Sequence, residues 1–137
     1  MKKNKLYLVL VALVVMAAAM LSGCGSDEDI IAKAAEEANE MCPMQIDAYT
    51  SLDSVEAVDG KTIQYNYTMT TYAAADVTDE MKTSIQETVP PTVIENIKNT
   101  DEMKALRDME ASFRYVYNSN DGVELVVIDI TPEDYAA

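Results

Sequence analysis

A long apolar segment near the start of the chain decides how much of the sequence can fold into a domain. Lys2, Lys3 and Lys5 precede it, and residues 6–20 consist of apolar side chains and one tyrosine. Leu21-Ser22-Gly23-Cys24 follows, with two small residues directly before the cysteine. A basic start, an apolar centre and small residues at a cleavage point are typical of a secretory signal peptide. We predict that residues 1–23 are removed, so that the domain is built from the other 114 of the 137 residues.

The end of this segment resembles the bacterial lipobox. Leu21-Ser22-Gly23-Cys24 carries the resemblance, which implies diacylglycerol on the Cys24 sulfur, cleavage before Cys24 and acylation of the new amino terminus, for example by palmitate. Two or more acyl chains anchor firmly, because each buried methylene contributes about 0.8 kcal/mol. We therefore expect a lipid-anchored protein at the extracytoplasmic face of the cell membrane. Residues 24–26 would be its lipidated tether and residues 27–137 a single domain.

Two other interpretations of the apolar segment stay open. The first is a transmembrane helix, but residues 6–21 fall short of the roughly 20 residues that span a bilayer. The acidic residues Asp27, Glu28 and Asp29 follow it, in place of the basic flank that would retain a membrane-spanning helix. The second is an ordinary signal peptide without lipid.

The predicted mature chain is strongly acidic. Seven lysine and arginine residues remain after residue 23, against 24 aspartate and glutamate residues, which gives a net charge of about −17. This charge repels nucleic-acid phosphates and anionic lipid headgroups, so we exclude nucleic-acid binding. The sequence has no histidine, which removes the commonest general base and the commonest metal ligand. We predict no metal and no cofactor.

The cysteine count leaves one thiol for chemistry. Cys24 is assigned to the lipid, so Cys42 has no partner for an intramolecular disulfide. Cys42 follows a predicted helix that carries Glu37 and Glu40 near its end, and both the helix end and the acids disfavour a thiolate. A structural cysteine is favoured over a redox or catalytic one.

The spacing of apolar residues predicts an α+β domain. Ser26 is a candidate N-cap for a first helix, and alternating residues predict two β-hairpins on either side of a helical region that Pro90-Pro91 breaks. The three-residue loop Val58-Asp59-Gly60 would keep the apolar faces of the first hairpin in phase. In chain order the elements are helix 27–41, hairpin 55–70, broken helix 78–109 and hairpin 111–130. We expect one antiparallel sheet of about four strands with helices packed on it.

Two sets of strand residues are candidate binding surfaces. The first alternates along two strands and could form an aromatic platform, although such rows more often face the core: Tyr65, Tyr67, Tyr115 and Tyr117. The last strand is apolar on both faces, which is typical of a central strand. We expect the helices to divide between the two faces of the sheet. If all of them packed on the tyrosine side, Val126, Ile128 and Ile130 would form an exposed docking surface.

Several short motifs resemble small bacterial lipoproteins of uncharacterised function. They are Asn39-x-x-Cys42-Pro43-Met44-x-Ile46-Asp47, Leu52-Asp53-Ser54-Val55 and Tyr65-Asn66-Tyr67-Thr68, within residues 39–130. The resemblance implies one domain behind a lipid anchor and assigns no catalytic residues. We predict a membrane-anchored, non-catalytic binding or structural module of the cell envelope, with a protein partner or self-association. The alternative is a small-ligand-binding protein or a hydrolase that uses the tyrosine-lined sheet.

Overall fold

Five strands and four helices form an α+β fold in the computed structural model, which describes residues 25–46 and 48–136. The predicted signal peptide and Cys24 lie outside the described residues. The helices are α1 (Asp27–Asn39), α2 (Asp79–Asn99), α3 (Lys104–Asp108) and α4 (Pro132–Ala136). The strands are β1 (Met44–Gln45), β2 (Thr50–Val58), β3 (Thr62–Met69), β4 (Ser112–Ser119) and β5 (Glu124–Ile130). Within the described part of the chain, no helix has the length and hydropathy of a membrane span.

Helix α1 begins at the predicted cap. The Ser26 hydroxyl accepts a hydrogen bond from the Asp29 N–H at 3.2 Å, and the three acids of the first turn oppose the positive end of the helix dipole. The buried side of the helix is rich in alanine and contains Ile31, Ala34, Ala35 and Ala38. Small side chains let α1 lie close to strands β2 and β3, on which it packs.

The sheet is mixed, which corrects the prediction of an antiparallel sheet of about four strands. Its order is β1-β2-β3-β4-β5; β3 and β4 run parallel and every other neighbouring pair is antiparallel. A parallel pair needs a long crossover, and α2 with α3 supplies it. The two-residue β1, paired with the start of β2, is the fifth strand.

Helix α2 continues through Pro90 and Pro91, so the predicted break is wrong. Two prolines remove two backbone donors, whose normal acceptors are the carbonyls of Gln86 and Glu87. Both of these residues are exposed, so water can reach them. The other side of α2 is apolar and fully buried at Val89 and Val93. Burial of that side holds the helix together where two hydrogen bonds are missing.

All four described helices pack on one face of the sheet, so the expected division between two faces is wrong. Their apolar side chains join a single core with the inward residues of the strands. β5 lies at the edge of the sheet and not in its centre, and α2 covers its inner side. The cross-strand register sets Tyr115 opposite Ile128 and Tyr117 opposite Val126. The apolar residues of β5 therefore share the face of the tyrosines.

The first hairpin has a three-residue loop, as predicted, but one position later. Val58 pairs with Thr62, so the loop is residues 59–61. Asp59 and Gly60 take positive φ angles of 48° and 79°, a conformation that aspartate and glycine tolerate. The face assignment survives, because the register moves by two residues and side chains alternate with a period of two.

Candidate functional site

The middle of the sheet carries a stacked group of four tyrosines, which we name the tyrosine tetrad: Tyr65, Tyr67, Tyr115 and Tyr117. Parallel pairing of β3 with β4 sets Tyr65 beside Tyr115 and Tyr67 beside Tyr117. The ring centroids are 5.0 Å apart in each of these two pairs, and 6.3 Å apart between Tyr67 and Tyr115. The planes of the stacked rings lie within 16° of one another. The rings stack because neighbouring strands lie about 4.8 Å apart and the tyrosines occupy paired positions on them.

The tetrad is fully buried, and its hydroxyls have no hydrogen-bond partner. The relative exposure of all four side chains is 0%, and no described residue donates to or accepts from any of the four oxygens. The hydroxyl of Thr50, the first residue of β2, is also buried without a hydrogen-bond partner. A buried, unsatisfied polar group costs about 1–3 kcal/mol. The tetrad therefore differs from an ordinary protein core, in which buried polar groups are hydrogen-bonded.

Burial also keeps these hydroxyls neutral. It raises the pKa of all four tetrad tyrosines above the ordinary value of 10, and neighbouring tyrosines raise the pKa of Tyr67 and Tyr115 further. A hydroxyl with a raised pKa and no adjacent base cannot act as a nucleophile or a general base near neutral pH. The neutral hydroxyls of the tetrad can donate and accept hydrogen bonds.

Cys42 packs against the same core as the tetrad. Its thiol is half-buried and points to the Ala38 carbonyl oxygen, with 3.7 Å between sulfur and oxygen. Burial raises the pKa of the thiol, and the negative charge of Asp53 raises it further. Since the thiolate is the reactive form, the structure favours a structural role for Cys42.

The predicted docking patch of the last strand is in the core. Val126, Ile128 and Ile130 are exposed by only 2%, 5% and 2%, because the register places them on the tyrosine face. They offer no surface to a partner in this fold. The adjacent residue Val127 is the apolar side chain of β5 that faces outward, with 38% exposure. It pairs with Val116 of β4 on the opposite side of the sheet.

The opposite side of the sheet, which we name the open face, is a polar layer. Its residues come from four strands and are Ser54, Glu56, Gln64, Asn66, Thr68, Arg114, Val116, Asn118, Val127 and Asp129. The Asn66 amide donates to Ser54 at 2.9 Å and to Glu56 at 3.0 Å, and the Gln64 amide donates to Asn66 at 2.9 Å.

Arg114 continues this network to the edge of the sheet. It donates to the Asp129 carboxylate at 2.7 Å and to the side-chain amide oxygen of Gln64 at 3.5 Å. The hydrogen-bonded side chains thus run from β2 to β5. Alternation of polar residues with the tyrosines was visible in the sequence, but the network across strands depends on the parallel register, which was not predicted.

A comparison with family models identifies the chain. Residues 26–126 match the family described as "Domain of unknown function (DUF8479)". The chain belongs to this family. The matched segment runs from the cap of α1 into β5 and so contains the whole tetrad and most of the open face. No curated protein matches the sequence.

Solved structures share the fold of this family member. A Pseudomonas aeruginosa protein described as a candidate secreted protein is 12% identical with a TM-score of 0.63, over 82% of this chain and 99% of its own. The type 2 secretion system pilotin EpsS of Vibrio vulnificus is 10% identical with a TM-score of 0.59, over 80% and 91%. The type II pilotin AspS of Vibrio cholerae is 14% identical with a TM-score of 0.54, over 79% and 91%.

At these identities the likeness establishes a common architecture and carries no residue roles across. The described residues add no metal site, since no group of three acidic or cysteine side chains is placed to hold an ion. The candidate sites of this chain are therefore the tetrad and the open face.

Proposed function

We propose that the chain is a membrane-anchored extracytoplasmic lipoprotein that binds a protein component of the cell envelope without catalysis. The observation that carries the proposal is the open face. Every described helix lies on the tyrosine side, so the hydrogen-bonded polar network of the open face is left without a covering helix. A preformed polar surface suits docking of a protein, whereas an enzyme needs a concave site with convergent reactive groups. The shared architecture with a candidate secreted protein and two pilotins supports an envelope setting.

Charge indicates what kind of partner fits the open face. Its border carries the acids Glu56 and Asp129, and Arg114 is already engaged by Asp129. A predicted net charge of about −17 for the mature chain adds a long-range field of the same sign. Complementary charge speeds association and suppresses wrong partners. The expected partner presents a basic, polar surface with a small apolar patch that covers Val127.

Cys24→Ala tests the anchor, and Cys42→Ala is the matched control. Labelled palmitate should be incorporated into the wild-type protein and the Cys42→Ala protein, and not into the Cys24→Ala protein. After cell fractionation, the first two should be found with the membrane. Label on the Cys24→Ala protein would contradict lipidation, whatever the outcome of the docking experiment.

A photo-reactive amino acid at position 127 tests the docking surface, and the same group at the exposed position 36 of α1 is the control. In intact cells, cross-linking to one envelope protein is expected from position 127 and not from position 36. It should weaken with rising salt, because the proposed attraction is electrostatic. Cross-links that arise from position 36 alone would place the partner on the helical side and refute the proposal.

The buried hydroxyls of the tetrad favour a second candidate function, which is the binding of a small uncharged ligand. It does not depend on the docking surface, because the open face and the tetrad lie on opposite sides of one sheet.

A further inference from the structure

The geometry of the tetrad explains why its hydroxyls cannot satisfy one another. The rings stack nearly parallel with centroids 5.0 Å apart in each pair, so their hydroxyl oxygens are spaced in a similar way. A direct O–H···O hydrogen bond needs about 2.7 Å between the oxygens. One oxygen atom placed between two such hydroxyls would lie at hydrogen-bonding distance from both. Each stacked pair is therefore spaced for a bridging group.

The four hydroxyls are close enough to act as one site. Tyr65, Tyr67 and Tyr117 each contribute to the electrostatic environment of the Tyr115 hydroxyl. The tetrad stands on the neighbouring strands β3 and β4, the third and fourth of the five. Helix α1 packs on β2 and β3, and α2 packs on β5 and α4.

The surroundings select an uncharged ligand. Apart from tyrosines, the buried polar residues in the described ranges are Thr50, Ser51 and Ser119, and none of them is charged. A charged ligand would have no counter-ion, and an unpaired buried charge is costly. A phenolic hydroxyl both donates and accepts, so the matching group is one that also does both. Water and the hydroxyls of a polyol or sugar have this property.

We propose that the tyrosine tetrad is a buried binding site for uncharged hydroxyl groups, supplied by ordered water or by a polyol of the sugar class. Each stacked pair, Tyr65 with Tyr115 and Tyr67 with Tyr117, holds one bridging oxygen. The site lies on the opposite side of the sheet from the proposed docking surface. The inference rests on the second candidate function, for which it names the ligand class, and it does not require the docking function.

Tyrosine-to-phenylalanine variants of the full chain test the site, because the change removes one oxygen and keeps the ring. Tyr135→Phe is the matched control. The Tyr135 hydroxyl is buried and donates to the Ala111 carbonyl oxygen, so the loss of this bond should lower Tm by about 4–8 °C. If bridging groups occupy the tetrad, Tyr65→Phe and Tyr117→Phe should lower Tm by a similar amount.

Glycerol distinguishes the two sources of the hydroxyl group. A polyol excluded from the protein surface stabilises every variant alike. Occupancy of the tetrad by a polyol should add a further rise in Tm to the wild type that the Tyr65→Phe/Tyr115→Phe double variant lacks. If glycerol raises the Tm of the wild type and of the double variant equally, while Tyr65→Phe and Tyr117→Phe each lower Tm, the bridging groups are water.

One result would overturn the proposal. If the tetrad hydroxyls bind nothing, their removal relieves a desolvation cost, and Tyr65→Phe and Tyr117→Phe should raise Tm while Tyr135→Phe lowers it. The sign of the shift, read against the control, is therefore decisive.

Discussion

Replacement of Ile128 by lysine tests the assignment of the two sheet faces. Ile128 is 5% exposed and lies opposite Tyr115 in the core. Loss of its burial costs about 1.5–3 kcal/mol. A buried lysine there loses its charge readily, and a pKa lowered by about 3–5 units from its ordinary value costs about 4–5 kcal/mol at pH 7. The total approaches the whole stability of a small domain, about 5–15 kcal/mol. Ile128→Lys should therefore be largely unfolded.

The neighbouring residue offers a control with the same introduced charge. Val127 lies on the open face and is 38% exposed. A lysine at this position can extend into water and keep its charge, so Val127→Lys should change the free energy of unfolding by no more than about 0.5 kcal/mol.

The pH dependence separates the charge penalty from the loss of packing. A buried lysine has a folded pKa below its unfolded value of about 10.4. The unfolded state of Ile128→Lys then binds more protons between these two pKa values, so its stability should rise with pH across that interval. Val127→Lys should show no such rise relative to the wild type.

Urea unfolding followed by far-UV circular dichroism, with the full chain in detergent, provides the measurement. We expect a strongly reduced midpoint for Ile128→Lys and an unchanged midpoint for Val127→Lys. A folded Ile128→Lys protein beside an unfolded Val127→Lys protein would show that the faces have been assigned in reverse.

Two further changes test the crossover and a loop. Pro91→Ala restores a donor for the Glu87 carbonyl at an exposed helix position. The free energy of unfolding, measured with urea, should therefore stay equal or rise by up to about 3 kcal/mol. A loss of several kcal/mol would show that proline sets the geometry. Asp121 accepts from Ser119 and from the Ala74 N–H, which lowers its pKa below 3.8. Its stabilisation should be present above about pH 4 and lost as pH falls through the folded pKa. The stability difference between wild type and Asp121→Asn should therefore shrink in acid, and a constant difference would contradict the role of the charge.

Local signals in the sequence predicted local structure well. Ser26 caps the first helix where the sequence placed it, because a cap depends on three or four consecutive residues. The length of the first hairpin loop followed from the phase of apolar residues. Its exact position did not, since a shift of two residues preserves every face.

The parallel pairing of β3 and β4 could not be predicted in the same way. The residues of both strands alternate alike in a parallel and in an antiparallel sheet. Which pairing forms depends on the end of the sheet at which the crossover through α2 and α3 returns the chain. Apolar residues on both sides of β5 also misled the prediction, because Val127 pairs with Val116 on the open face of an edge strand.

The contrast among the polar groups of this fold bears on where a ligand should be sought. The open face satisfies its amides and its arginine through a network that spans four strands, and the buried Tyr135 hydroxyl finds the Ala111 carbonyl. The same chain leaves four hydroxyls of one core cluster without protein partners. Phenylalanine at those positions would keep the ring stacking and avoid the desolvation cost, so the contacts within the protein give no reason for tyrosine unless a group binds to the hydroxyls. Buried polar groups without partners, which lower stability, are expected chiefly at functional sites. The hydroxyls of the tetrad, more than its ring faces, are therefore the part of the structure that calls for a function.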